Sequence, residues 1–488
     1  MRGNAIAALT GWIAPAGTDS RQADKRRRIV LALMAGLVFM SFWGIPAIAK
    51  AVGDPNGADT LAADPNAPVN MVWTLMTGFM VWFMQLGFAF LGAGLLRAKN
   101  TVNYFTKSYM DFCIGGLAFW AFGFGLMFGG SKLWPGLEQG NPILGYSGFF
   151  LSGEGYDVKT MMGWFFQMVF AATACTIVAG AVAERMKIQA YLAYSFLISA
   201  LVYPIYGHWV WGGGWLATLT IGSAVGARDF AGSGVVHAVG GMAALVGAAM
   251  VGPRLGKFNK DGTPNAIRGH NVPYVVIGTF ILFFGWFGFN PGSTLAGTDL
   301  RISVVAVNTF LAGAAGAAVA LYYSLAKTGK ADIILACNGS LAGLVAVTAP
   351  CAYIAPWAAV VIGAIAPFVM IGTANFVERT LKIDDAVGAC GVHLGNGLFG
   401  LLCVGIFADG TYGGITGVIK GSFDQLILQL IDMATVVVWT GVTVFVVFFV
   451  IKMTIGLRAT REEEISGLDE PEHGLESYPA DEPVKVGR

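Results

Sequence analysis

Charged residues are scarce in this chain of 488 residues. Asp, Glu, Lys and Arg make up 12% of it and hydrophobic residues 56%, whereas an ordinary soluble domain has roughly 25% charged residues. So few charges cannot cover a soluble surface of this size, and a net charge of +1 does not favour a nucleic-acid partner. The composition therefore excludes a soluble globular protein and indicates a membrane protein.

Cysteine and histidine are also few, with six and five residues. The cysteines lack the paired spacing of a metal site and lie in or beside apolar segments, so we interpret them as small packing residues: Cys113, Cys175, Cys337, Cys351, Cys390 and Cys403. No nucleophile, base and acid are grouped in the sequence, which argues against an enzyme. We expect neither a metal ion nor a cofactor.

The apolar residues fall into continuous runs of about twenty, the length that crosses a bilayer as a helix. An alternating pattern, typical of a membrane β-barrel, is not seen. The runs predict an all-α integral membrane protein with eleven transmembrane helices, at residues 71–96, 108–130, 160–184, 189–210, 230–252, 273–292, 302–326, 332–350, 355–377, 389–408 and 426–452.

Loop charge predicts the orientation of these helices. One alternate set of loops carries 13 Lys and Arg residues and the opposite set carries 5. Because basic loops are retained on the cytoplasmic side, residue 71 is predicted outside and the chain after Lys452 inside. The protein is thus predicted to be a multi-pass protein of the plasma membrane, the inner membrane of a bacterium.

The two ends of the chain differ from the membrane domain, predicted at 71–452. Four basic residues at 25–28 precede an apolar stretch, so that residues 1–51 resemble a secretory signal peptide, with an uncleaved N-terminal extension as the alternative. Residues 52–70 are interpreted as an exported polar segment. The polar, acidic residues 453–488 predict a cytoplasmic regulatory or docking tail rather than a catalytic domain.

An internal repeat relates the fifth and tenth runs. Around His237 the sequence reads VHAVGG, and around His393 it reads VHLGNG, at a constant offset of 156 residues. A unit of five helices crosses the membrane an odd number of times, so its second copy must be inverted. Inverted repeats, here helices 1–5 and 6–10 around a central pore, place matching segments face to face near the bilayer midplane. We therefore infer that His237 and His393 meet.

A histidine inside hydrocarbon is costly unless its donor and acceptor are satisfied, which makes it a functional candidate. Two alternatives remain at this point, a pair of satisfied core histidines and a metal site. The metal site is disfavoured because no third or fourth ligand accompanies the histidines at helical spacing. An imidazole pair that shares a proton offers one donor and one acceptor to a small polar solute. This chemistry suits ammonia better than a hard metal ion.

Longer motifs resemble the Amt/Mep/Rh ammonium transporters over roughly residues 71–476. The sequence most similar to the signature of that family is DFAGSGVVH at 229–237, continued by VGPRLG at 251–256. Other similar stretches are GLLRAKN at 94–100, GAVAER at 180–185, GWFGFN at 285–290 and GVH at 391–393. The chain is identified as resembling a prokaryotic Amt-type member.

The resemblance implies several site residues. It implies an external ammonium recruitment site of Phe170, Trp211 and Ser293, where an aromatic face attracts a cation. It implies a gate of two stacked rings, Phe170 and Phe289. Further vestibule positions would be Phe166, Thr348 and Asn396. One departure is Leu394, where many members have glycine after the second histidine.

Asp229 stands at the start of the fifth predicted helix. A carboxylate there can accept hydrogen bonds from the free N–H groups of the first turn and favour nearby cations. We expect a structural and electrostatic role rather than direct coordination of the substrate.

The resemblance implies transport of ammonium or ammonia by a homotrimer with one pore per subunit. It also implies docking of a PII-type signal protein at the cytoplasmic mouth. Two alternatives remain: an ammonium sensor that signals through its tail, and a channel for neutral gases similar to Rh proteins, against which Trp211 at the recruitment position argues. Whether a proton follows the ammonia, making transport electrogenic, is left open by the sequence.

Overall fold

The computed structural model describes residues 53–479. The predicted signal peptide at 1–51 therefore lies outside the described residues, as does the chain from 480 onward. A short helix, Ala58–Ala63, precedes the first long helix. Apart from a two-residue antiparallel ladder, β1 (Thr220–Ile221) with β2 (Ala224–Val225), the regular structure described is helical.

Eleven apolar helical segments follow the order of the predicted runs. They are α1 Ala67–Leu95, α2 Ala98–Phe128, α3 Val158–Val182, α4 Ile188–Thr218, α5 Ser233–Val251, α6 Val272–Thr294, α7 Ile302–Thr328, α8 Ile333–Thr348, α9 Pro356–Thr380, α10 Cys390–Phe407 and α11 Asp424–Thr454. Ten of them are long enough to cross a membrane, while α8 has 16 residues. The described part of the chain is thus an all-α membrane protein with ten or eleven spanning helices.

Several helix bounds differ from the prediction. The first helix begins at Ala67, inside the segment interpreted as an exported polar stretch. Helix α2 begins at Ala98 rather than 108 because its polar first turns are buried: Lys107 donates to Asn103 at 2.7 Å and to the Met186 carbonyl at 2.5 Å. Polar residues with protein partners extend the helix beyond its apolar run.

Asp and Asn side chains cap the free N–H groups at the starts of α3, α6 and α8, as expected of these residues at this position. Asp157 accepts from Lys159 N at 2.8 Å at the start of α3. Asn271 accepts from Tyr274 N at 3.0 Å before α6, and Asp332 accepts from Leu335 N at 3.0 Å before α8. These caps fix where each helix begins.

The outer surface of the helices is apolar. Large hydrophobic side chains such as Phe280, Phe284 and Val438 are more than half exposed, whereas polar side chains such as Asn308 and Thr309 of α7 are fully buried. This distribution is the reverse of that of a soluble protein and is expected where lipid is the solvent.

Glycine lets the helices approach closely. A Cβ atom added at Gly87 of α1 would lie 3.1 Å from the carbonyl oxygen of Gly278 on α6, and one added at Gly278 would lie 2.4 Å from Leu91 N. Small residues at such contacts allow backbones to touch, which is how helices associate in a membrane.

The tail folds back onto the predicted cytoplasmic face through two short helices, α12 (Arg461–Ser466) and α13 (Asp469–His473). Asp469 accepts from Asn103 N at 2.8 Å near the start of α2, and Glu472 accepts from Ile188 N at 3.1 Å at the start of α4. Carboxylates are favoured at helix N-termini, where free N–H groups and the helix dipole attract anions. The tail is therefore fastened to the first turns of α2 and α4.

Cys175, interpreted as a small packing residue, is fully buried among hydrophobic side chains and also makes a polar contact. Its thiol donates to the buried carboxyl group of Asp111 at 2.7 Å. Sequence spacing gives no sign of this contact because the two residues lie on different helices.

Candidate functional site

His237 and His393 lie side by side in the protein interior. The Nδ1 atoms of the two rings are 3.2 Å apart, and the rings are stacked with centroids 5.3 Å apart and an interplanar angle of 19°. His237 is fully buried and His393 is 6% exposed. At this distance one Nδ1 donates and the other accepts, so the two imidazoles can share one proton.

Both histidines lie in π-helical turns, Ser233–Ala238 at the start of α5 and Cys390–Gly395 at the start of α10. Such turns insert one extra residue into a helix and occur often at functional sites. The repeated sequence thus carries a repeated backbone irregularity, which turns both side chains toward the contact between the two helices.

Glycine brings these two helices together. A Cβ atom at Gly241 of α5 would lie 2.3 Å from Leu394 N, and one at Gly397 of α10 would lie 2.5 Å from the Ser233 carbonyl oxygen. Larger side chains at these glycines would push the backbones apart. Leu394, the departure from the family pattern, therefore packs with its backbone against Gly241.

Two further aromatic rings pack against His237. Trp286 stacks on it at 5.2 Å and 18°, and Phe289 at 5.3 Å and 26°. The Trp286 indole donates to the Thr348 hydroxyl at 2.9 Å, and that hydroxyl donates to the Leu344 carbonyl at 2.7 Å. Thr348 thus fixes the orientation of the ring that packs on the histidine.

Phe170 and Phe289 form the closest aromatic contact of the site, with centroids 4.2 Å apart and an angle of 30°. Phe166 lies 4.8 Å from Phe170 on the same helix. These rings are at most 1% exposed. They form a continuous apolar layer directly next to His237.

Trp211 and Ser293 flank this layer. The partly exposed Trp211 lies 6.1 Å from Phe170, edge to face, and its indole donates to the Asp229 carbonyl at 2.7 Å. Ser293 donates to the Phe289 carbonyl at 2.7 Å, which leaves its oxygen lone pairs free to accept. Trp211 thus contacts Phe170, and Ser293 bonds to the backbone of Phe289. Because Phe170 and Phe289 stack on each other, the three residues implied for recruitment are connected.

The Asp229 carboxylate is occupied by backbone donors. It accepts from the N–H groups of Gly232, Ser233, Gly234 and Val235 at 2.8–2.9 Å. Four such bonds satisfy the first turn of α5, which contains His237. The geometry fits a residue that holds the start of α5 rather than one that ligates the substrate.

Asn396 is buried and donates to the Gly391 carbonyl at 3.1 Å, within its own helix. That carbonyl belongs to the π-helical turn of His393. Asn396 therefore contacts the backbone that carries the second histidine.

Two aromatic residues of the site, Trp286 and Phe88, were not identified as site residues from the sequence. Trp286 stands within the GWFGFN motif, but its contact with His237 was not inferred, and Phe88 of α1 lies 6.1 Å from His393. The motif could have indicated Trp286, whereas nothing in the sequence of α1 distinguishes Phe88 from other apolar residues. Among residues 53–479, no three His, Cys, Asp or Glu side chains come together as metal ligands.

The apolar helices and the buried imidazole pair define a multi-pass membrane protein with a polar site in its interior. Residues 72–478 match the Ammonium Transporter Family. The chain belongs to that family, whose members are membrane transporters of ammonium and not enzymes. The identification made from the motifs is confirmed.

Individual relatives agree with this assignment. The ammonium transporter Amt2 of Archaeoglobus fulgidus is 51% identical over 443 residues, which cover 88% of this chain and 93% of that protein. Ammonium transporter 1 member 3 of Solanum lycopersicum is 37% identical over 84% of this chain and 93% of its own.

Solved structures show the same fold. A structure described as Sensor Amt Protein has a TM-score of 0.76 at 38% identity and is matched over 84% of this chain and 99% of its own. The crystal structure of Candida albicans Mep2 has a TM-score of 0.72 at 27% identity, over 81% of this chain and 87% of its own. The chain therefore has the fold of the Amt and Mep structures.

Proposed function

We propose that this protein carries ammonium or ammonia across the membrane past His237 and His393. The observation that supports it most directly is the imidazole pair, 3.2 Å between Nδ1 atoms, buried behind an apolar layer of phenylalanine rings. Ammonium is recruited at Phe170, Trp211 and Ser293, loses its proton near the gate of Phe170 and Phe289, and crosses as ammonia.

Chemistry rather than size selects the substrate in this scheme. Ammonium and potassium are similar in size, so a pore of fixed diameter would separate them poorly. An apolar layer makes the intact cation costly to desolvate. Imidazoles that accept and relay a proton favour ammonium, because potassium has no proton to give up.

The topology that we propose has eleven spans. Helices α1–α5 and α6–α10 form two inverted units around the histidine pair, and α11 follows. Residue 71 lies outside, the tail lies in the cytoplasm, and residues 1–51 are removed as a signal peptide. The shared π-helical turns of α5 and α10 support the pairing of the two units.

The proposed assembly is a homotrimer that binds a PII-type protein at the cytoplasmic face. A groove there is bordered by basic side chains of the loop after α5 and of the tail, namely Arg254, Lys257, Arg458 and Arg461. Its position between loop and tail suits a protein partner that responds to both.

A sensing role is a second candidate function. The relative described as Sensor Amt Protein is 38% identical. In this chain the tail bonds to the first turns of α2 and α4, and Glu464 accepts from Leu255 N, after α5, at 2.6 Å. A conformational change in α2, α4 or the loop after α5 would therefore be transmitted to the tail.

Alanine substitution of the histidines tests the transport proposal. In His237→Ala and His393→Ala, loss of the proton acceptor and widening of the site should lower the preference for ammonium over potassium by roughly 10-fold, or about 1.4 kcal/mol. The measurement is uptake of ammonium, or of its analogue methylammonium, against potassium flux in proteoliposomes.

His270→Ala is the matched control for these variants. Its imidazole contacts the Leu96 carbonyl and Tyr478 at the cytoplasmic face, so the preference should not change. A wild-type ion preference in both His237→Ala and His393→Ala would refute the proposed role of the pair.

A further inference from the structure

His208 lies near the outer end of α4, one helical turn before Trp211 of the proposed recruitment site. It is buried, with 1% of the residue exposed. The Nδ1 atom is 2.8 Å from the Met127 carbonyl oxygen at the end of α2, and the Nε2 atom is 2.7 Å from the Asn141 carbonyl oxygen in the loop between α2 and α3. A carbonyl oxygen only accepts hydrogen bonds, so both ring nitrogens face acceptors.

A neutral imidazole does not satisfy this arrangement. It has one N–H donor and one lone pair, so in either tautomer a nitrogen lone pair would point at a carbonyl oxygen at hydrogen-bond distance. Turning the ring over would set carbon atoms against the same two oxygens and lose both bonds. In the doubly protonated imidazolium both nitrogens donate. The two contacts therefore fit a positively charged His208.

Peptide dipoles around His208 stabilise such a charge. The α-helical part of α4 that contains His208, Tyr203–Val210, ends two residues after it, and the negative end of a helix dipole favours a cation in the last turn. Hydrogen bonds from an ionised donor are stronger than those between neutral groups. Within residues 53–479 the ring forms no ion pair, so carbonyl groups rather than a carboxylate hold the charge.

No titratable side chain in the described part of the chain bonds to the His208 imidazole. The elements packed against this part of α4 include Lys132 and Glu138 in the loop, Tyr203 and Tyr206 on α4 itself, Asp229 before α5, and Asp432 on α11. Lys132 and Glu138 are exposed, while Asp229 and Asp432 accept from other donors. Loss of the proton from His208 would therefore break a carbonyl contact rather than an ion pair.

Three consecutive carbonyl groups fasten the loop between α2 and α3 to the outer end of α4. The carbonyl groups of residues 141–143 accept, in this order, from the His208 ring, from Trp215 N at 3.0 Å and from the Trp209 indole at 2.7 Å. The His208 contact is the one of these three whose donor can be lost by deprotonation, because backbone N–H and indole groups keep their protons.

Trp211 lies in the turn that these contacts hold. The His208 carbonyl accepts from Gly212 N at 3.0 Å and from Gly214 N at 2.9 Å. A Cβ atom added at Gly212 would lie 2.7 Å from His208 Nδ1, so the turn and the imidazole are in close contact. The Trp211 indole in turn donates to the Asp229 carbonyl at 2.7 Å. A shift of His208 would therefore shift the turn that carries Trp211.

We propose that His208 is a positioning residue of the ammonium recruitment site and acts in its positively charged form. The inference rests on the proposed recruitment of ammonium at Trp211. Loss of the proton leaves one ring nitrogen without a hydrogen to donate, so the Met127 or the Asn141 contact opens and Trp211 loses its fixed position. A site that is formed in only a fraction of the molecules binds more weakly by that fraction. A rise in external pH therefore weakens recruitment.

Uptake of methylammonium into proteoliposomes tests this role, with the internal pH fixed and the external pH raised from about 5 to about 8, where histidine changes its charge. In the wild type we expect the KM to rise roughly 3-fold or more over this range, with a smaller change in the maximal rate, since recruitment acts on binding. In His208→Gln, which is neutral at every pH, the KM should be roughly 5-fold higher at about pH 5 and should not depend on pH.

His270→Gln is the matched control. One nitrogen of the His270 ring contacts the Leu96 carbonyl and the other contacts the Tyr478 hydroxyl, which can donate. A neutral imidazole satisfies both contacts, so this variant should keep the KM of the wild type and its pH dependence.

The charge of His208 is measured directly by nitrogen NMR of the wild type with isotope-labelled histidine, of which the chain has five. The His208 signals are identified by transfer to labelled methionine carbonyl groups, through the Met127 contact. We expect a proton on both ring nitrogens at about pH 5 and on one of them at about pH 8. This measurement does not depend on the folding of any variant.

Several results would overturn this proposal: a neutral His208 ring at about pH 5, a wild-type KM that is constant across the external pH range, or a wild-type KM in His208→Gln. A lower KM in His208→Gln would also overturn it, because the charge would then repel ammonium rather than position the site. Trp211→Leu separates the two proposals. A raised KM in Trp211→Leu beside a wild-type KM in His208→Gln refutes only the role of His208, whereas wild-type KM values in both variants contradict recruitment at Trp211 as well.

Discussion

Asp229→Ala is expected to abolish transport and to destabilise the folded protein. The substitution leaves four N–H groups, at 232–235, without their acceptor, and each buried unsatisfied group costs about 1–3 kcal/mol. The π-helical turn that they begin contains His237. Uptake should therefore fall by roughly 100-fold or more, equal to about 2.7 kcal/mol, measured with ammonium in proteoliposomes.

Asp229→Asn separates the structural role from direct coordination. An asparagine has a single acceptor oxygen with two lone pairs, so it can restore two of the four hydrogen bonds but not the charge. If the carboxylate acts through the start of α5, this variant should recover part of both the unfolding temperature and the uptake. Wild-type stability of Asp229→Ala together with lost uptake would instead indicate direct coordination, contrary to our expectation.

The membrane helices could be predicted because the bilayer imposes a length on each apolar run. The position of the site could be inferred from one repeat, since His237 and His393 are the matching polar residues of α5 and α10. The two rings, 156 positions apart in sequence, are neighbours in the structure. A physical constraint on length and a repeated motif are both readable from a single sequence.

Contacts between distant segments could not be predicted. Helix α2 begins earlier than its apolar run because Asn103 bonds to Asp469, 366 residues away. The role of Thr348 depends on a bond to the Trp286 indole, and that of Cys175 on Asp111. Each is a tertiary pairing of polar groups, for which hydrophobic pattern and helix propensity give no signal.

Arg254→Met is expected to lower the stability of the folded protein strongly. Arg254 donates to both oxygens of Asp384, at 2.8 and 2.9 Å, and to Glu184 at 3.2 Å. All three residues are at most 3% exposed, and they join the ends of α3 and α5 to the segment before α10. Breaking a buried ion pair by removing one partner costs about 3–5 kcal/mol, because Asp384 is left buried without its ion-pair partner, whereas Glu184 keeps its ion pair with Arg97.

The pH dependence of this variant follows from the carboxyl groups. In the wild type, burial raises the pKa of Asp384, but the hydrogen bonds and charge of Arg254 outweigh burial and lower that pKa to about 2. A lowered folded-state pKa stabilises the protein above the unfolded value of about 3.9, and this contribution is lost as the pH falls through about 2. Without Arg254, burial raises the pKa of Asp384 instead, so its ionised form destabilises the variant above that raised pKa.

Thermal unfolding in detergent, followed by tryptophan fluorescence, should therefore show the wild-type advantage over Arg254→Met greatest near neutral pH. The advantage should shrink as the pH falls toward about 4, since the Asp384 carboxyl group of the variant takes up a proton and loses its charge. Lys257→Met is the control, because its partner Glu378 is partly exposed, with 35% of the side chain accessible, and such pairs contribute at most about 1 kcal/mol. A constant difference across this pH range would show that Arg254 stabilises by packing rather than by charge. The link between the ends of α3 and α5 and the segment before α10 would then not depend on its ion pairs.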